Sequence, residues 1–86
     1  MKEKITELIG LAKRNSTKPG SFPFLPEIIE SLENMQKNLN VSRDRKEKMA
    51  GALGRLVTED FNFSESELGN KLLKIADDFV EYEELL

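Results

Sequence analysis

The chain contains no cysteine and no histidine. Without cysteine there is no disulfide framework and no thiolate metal site. Without histidine the commonest general base and the commonest metal ligand are both missing. The Glu-x-x-His pairs that build di-metal sites in helical bundles cannot be written either. No glycine-rich phosphate loop occurs, and no hydroxyl has a base placed by sequence to activate it. The adjacent carboxylates Glu59-Asp60 and Asp77-Asp78 are poor acid/base dyads, because neighbouring helical residues do not face each other. We therefore expect a protein that is not an enzyme and that uses neither cofactor nor metal. No apolar run approaches bilayer-spanning length, and the N-terminus lacks a signal-peptide core. The expected location is cytoplasmic, without membrane association.

What is present is a balance of 38% hydrophobic and 34% charged residues. That suits one solvated helical domain rather than a disordered chain. The 86 residues carry a net charge of −3, unevenly placed. Residues 1–50 hold ten Lys/Arg against seven Asp/Glu, and residues 51–86 hold three against nine. Such asymmetry suits either a basic binding face or two halves paired by charge.

Periodicity predicts four helices near 2–15, 26–38, 43–59 and 65–83. In the first, Ile5, Leu8, Ile9 and Ala12 share a face. Pro19-Gly20 then suits a type II turn. Phe22-Pro23-Phe24-Leu25-Pro26 is expected to stay extended until Pro26 opens the second helix, whose stripe is Leu25, Ile28, Ile29, Leu32, Met35 and Leu39. Ser42 is a plausible cap for the third helix. Its expected face is Met49, Ala52, Leu53, Leu56 and Val57. Gly51 and Gly54 are unusual inside a helix, and Ala50 with Gly54 has a small-xxx-small spacing that suits a close helix crossing, within the chain or in a homodimer.

The fourth helix has the strongest predicted start. Ser64 and Glu67 have capping-box spacing, with Phe63 and Leu68 placed as a hydrophobic staple. Asp60, Asn62 and Ser64 also imitate the opening of a calcium loop. That reading fails at Glu65, where glycine is needed, and at Lys71, where a bidentate Glu is needed. Leu68, Leu72, Ile75, Ala76 and Phe79 line one face, and Leu73 and Val80 widen it. The segment from Glu81 to Leu86 is expected to fray.

Arg43, Arg45, Lys46 and Lys48 crowd the start of the third helix, the wrong end for cations on dipole grounds. An antiparallel hairpin of the last two helices would set them beside Asp77, Asp78, Glu81, Glu83 and Glu84, an arrangement that sets register more than stability. The same cations allow a rival reading, in which 43–57 is a nucleic-acid recognition helix after a helix-turn-helix-like turn. It is disfavoured by the polar run Asp44–Lys48 and by the acidic balance of the chain.

The expected architecture is an all-α, small four-helix, largely antiparallel bundle. The expected core is Ile5, Leu8, Ile9, Ile28, Ile29, Leu32, Met35, Met49, Leu53, Leu56, Leu68, Leu72, Ile75 and Phe79. The expected function is that of a small non-enzymatic interaction or regulatory module, binding a protein partner or a second copy of itself. Candidate partner-binding residues are Phe22, Phe24, Ala50, Gly54, Leu73 and Val80. The alternatives are nucleic-acid binding through Arg43, Arg45, Lys46 and Lys48, and an immunity-type helical bundle, which rests on size and helix count alone.

Overall fold

A computed structural model describes residues 1–83 and is helical throughout its regular structure. The helices are α1 (Lys2–Ser16), α2 (Leu25–Lys37), α3 (Arg43–Thr58), α4 (Phe61–Ser64) and α5 (Glu67–Glu81). There is one more helix than the periodicity predicts, because a single turn is set into the link before α5. Among the described residues α1 packs on α2 and α5, α2 also packs on α3, and α3 packs on α5, while α4 sits against α3 and α5.

Two sets of polar contacts mark which ends meet. Gln36 Nε2, near the end of α2, donates to the Lys2 carbonyl at 3.3 Å and to the Thr6 hydroxyl, at the start of α1. Arg43 Nη2, at the start of α3, reaches Glu81 at the end of α5 at 2.8 Å. Apolar stripes at helical period fill the space between the long helices. Ile5, Ala12, Ile28, Leu32, Met35, Leu53, Val57, Leu72 and Phe79 are fully enclosed, with Leu8, Ile9, Leu25, Ile75 and Ala76 beside them. Ile29, Met49, Leu56 and Leu68, expected in the core, are only half-buried at its edge.

The third helix departs most from its expected face. Lys46, Ala50, Leu53 and Val57 point inward, while Ala52 is exposed. At 100° per residue this turns the buried face by roughly 60° from the one the apolar residues suggest. Lys46 makes the rotation tolerable. Its stem fills a core position, as long cationic side chains do, and its ammonium escapes to the end of α5. There Nζ donates to the Tyr82 carbonyl at 2.5 Å and lies 5.5 Å from the Phe79 ring centre and 5.3 Å from that of Tyr82. A cation is favoured at a helix C-terminus and over aromatic faces. Among the described residues the expected pairing of the two charge clusters therefore narrows to one ion pair, Arg43–Glu81, and one amine-to-carbonyl contact. Arg43 also pairs with Glu47 at 3.3 Å. The Glu47 hydrogen bond and the Glu81 charge hold the Arg43 guanidinium above its ordinary pKa. Ser42 caps α3 as expected, its hydroxyl accepting from the Arg45 N–H. Among the described part of the frayed-end expectation, α5 stops at Glu81, and Glu84, Leu85 and Leu86 lie outside the described residues.

Candidate functional site

The end of the molecule opposite Arg43 is built by two irregular segments. The first follows α1. Gly20 has φ +74° and the Ser21 N–H donates to the Lys18 carbonyl at 3.2 Å, so Pro19-Gly20 forms the turn its sequence predicts. The next segment is not extended. The Leu25 N–H donates to the Phe22 carbonyl at 3.2 Å, and Phe24 sits at φ −92°, ψ 9°. Pro23 and Phe24 are thus the two central residues of a type I turn, for which proline presets the first φ. Folding the chain back brings Phe24 edge-on to Phe22, with ring centres 5.5 Å apart.

The second segment is α4. Asp60 caps it, its carboxylate accepting from the Phe63 N–H at 3.0 Å. The Ser64 hydroxyl donates to the Phe61 carbonyl. Asp60 and Ser64 are therefore engaged in closing one helical turn rather than laid out as a cation loop. The expected capping box at Ser64 and Glu67 does not form. Ser66 is the cap of α5, accepting from the Gly69 N–H at 3.0 Å while its hydroxyl donates to the Phe63 carbonyl at 2.5 Å. Asp60 stands three residues before Phe63 and Ser66 three before Gly69, so two overlapping capping signals divide what reads as one helix start. The turn is possible because Gly69 lacks a side chain. A β-carbon there would stand 2.0 Å from the Phe63 carbonyl oxygen, with Ser64 Cα at 3.0 Å.

Phe63 is thereby aimed at the first segment, where its ring stacks on Phe22 at 4.2 Å and 8°. A cleft of about 490 Å³ opens beside the stack. Leu11, Leu25 and Leu68 line it with the two rings, and Lys18, Glu67 and Lys71 stand among its walls. Phe24, at 38% exposure, and Phe61, at 76%, are the large apolar side chains left open to solvent among the described residues. A second cleft of about 380 Å³, at the other end, is lined by Arg43, Lys46, Glu81 and Tyr82 among others.

The candidate partner-binding residues separate in space. Phe22 and Phe24 share the aromatic end. Leu73 and Val80 are half-buried against the core on α5. Ala50 is in the core, at 9% exposure, and so offers no surface. The face that carries it is turned inward by the rotation of α3. Gly54 is half-buried, and neither it nor Gly51 has an atom within 4 Å of a β-carbon position, so no close helix crossing within the described chain uses them. Of the basic candidates, Lys46 is buried, Arg43 is ion-paired, and Arg45 and Lys48 are exposed. Phe61 and Gly69 went unremarked as single residues. The signal for Gly69 was available, since it falls three residues after a serine at the start of an apolar period. No family model, curated protein or solved structure matches the chain.

Proposed function

We propose that the chain is a small non-enzymatic interaction module, an antiparallel bundle of its four long helices, that binds another protein through its aromatic end. The observations behind this reading are the cleft lined by Phe22 and Phe63 and, outside its lining, two exposed phenylalanines, Phe24 and Phe61, in a chain whose other large apolar side chains are buried or half-buried among the described residues. Aromatic side chains are enriched where partners dock. A second copy of the chain is one such partner.

The test compares the wild-type chain with a Phe24→Ser, Phe61→Ser double variant. Phe61 is exposed and Phe24 gives up only its edge contact with Phe22, so the thermal midpoint should fall only slightly. Light scattering over a range of concentrations detects self-association, and affinity capture detects another protein. Loss in the variant of a dimer, or of a specifically retained protein, supports the reading. Monomers with identical capture profiles refute it.

Nucleic-acid binding through α3 keeps less support, because one of its four cations, Lys46, is buried with its ammonium on the Tyr82 carbonyl. That alternative predicts salt-sensitive binding abolished by Arg43→Ala with Arg45→Ala.

A further inference from the structure

We propose that the cleft beside Phe22 and Phe63 takes an acidic amphipathic helical segment of a partner protein. The inference rests on the reading of this end as a binding surface and adds the chemistry of what binds there. The apolar half of that chemistry follows from the lining. Leu11, Phe22, Leu25, Phe63 and Leu68 surround about 490 Å³, room for the side chains that one helix face presents at i, i+3 and i+4.

The charged half follows from where the acids are missing. The chain carries 16 Asp/Glu against 13 Lys/Arg, yet between Glu7 and Glu27 there is no carboxylate at all. Lys13, Arg14 and Lys18 fall in that interval, and of the three Lys18 lines the cleft. This same stretch supplies one side of the cleft, from Leu11 to Leu25. The other side carries Lys71 and a single lining carboxylate, Glu67, which pairs with it at 3.3 Å. Both partners of that pair are at least half exposed, so it is weakly held and readily exchanged for a carboxylate arriving on a ligand. Among the described residues Lys18 joins no salt bridge. With Lys18 and Lys71 against Glu67, the lining of this apolar cleft carries one net positive charge on an acidic protein. An acidic segment is drawn to it, and a basic one is drawn elsewhere on the surface.

The probe is a pair of synthetic helical peptides that share leucines at i, i+3, i+4 and i+7 and differ only in carrying glutamate or lysine at the remaining positions. Each is titrated into the full isotope-labelled chain and followed by amide chemical shifts. The glutamate peptide should shift Leu11, Phe22, Phe63 and Lys71. Its affinity should fall about tenfold at low salt in a Lys18→Glu, Lys71→Glu variant, whose exposed substitutions leave the helical circular dichroism unchanged. Equal or tighter binding of the lysine peptide at this cleft overturns the charge assignment and leaves the binding-surface reading standing. If neither peptide perturbs the cleft, both fail. Concentration-dependent shifts at the cleft without any peptide would make a second copy the occupant and overturn the proposal.

Discussion

Replacing Gly69 by alanine should destabilise the protein, although the same change at Gly51 and Gly54 should stabilise it. All three glycines lie in helices, so each gains up to about 1 kcal/mol in helix propensity. The surroundings decide the sign. At Gly51 and Gly54 the new β-carbon meets nothing within 4 Å, and about 0.4–1 kcal/mol should be kept. At Gly69 it would stand 2.0 Å from the Phe63 carbonyl oxygen and 2.9 Å from the carbonyl carbon. Both are main-chain atoms, so no rotamer change relieves the clash, and α4 must retreat by more than about 1 Å to restore ordinary contact. Overpacking of this kind costs about 1–3 kcal/mol. Retreat also strains the bonds that the Phe63 carbonyl accepts from the Ser66 N–H at 3.0 Å and the Ser66 hydroxyl at 2.5 Å, each contributing about 1 kcal/mol. After the propensity gain, the net loss should be about 1–3 kcal/mol, and each kcal/mol lowers the melting midpoint by roughly 4–8 °C in a chain of this size. Thermal and urea melts followed by circular dichroism measure all three variants. If Gly69→Ala rises in stability alongside the other two, the close approach of α4 to α5 is wrong.

The remaining predictions are smaller. Ser66→Ala should lose about 1 kcal/mol in the same melts, through the α5 cap, while Ser64→Ala should lose much less; the reverse order would restore the capping box at Ser64. Lys46→Met should keep most of the stability by retaining the stem, and Lys46→Ala should lose about 1–2 kcal/mol more, since much of the contribution is packing. Arg43→Ala should leave the melting midpoint within experimental scatter, because both of its ion pairs are exposed; a large drop would mean that the pairs fix the α3–α5 contact.

Where one helix face decides the structure, the sequence was easy to read. The stripes of α1, α2 and α5 face the core as their periodicity predicts, with Ile29, Leu39 and Leu68 left at its edge, because leucine and isoleucine at i, i+3 and i+4 admit one inward side. In α3 the pattern misled. A lysine and an alanine occupy the seam, and counting apolar residues cannot tell a snorkelling stem from a solvated charge. At the start of α5 two capping signals overlap, and local spacing alone could not rank Ser64 against Ser66. The deciding atom is the Phe63 carbonyl, whose position depends on the tertiary approach of α4. The candidate site was half legible for the same reason. Phe22 and Phe24 were visible as aromatics between prolines, but their partner Phe63 comes from a part of the chain about 40 residues away that only the fold brings near.

The contacts at the two ends of α3 and α5 also bear on how the chain acquires its shape. One end is closed by the passage of Phe63 over Gly69, the other by Lys46 on the Tyr82 carbonyl. Both closures use residues from the second half of the chain alone. Residues 43–83 are therefore expected to open as one cooperative unit. Amide hydrogen exchange would reveal it as a block of slowly exchanging positions in α3 and α5, opening at a higher free energy than α1. If α1 and α2 prove the most protected, the order of opening runs the other way.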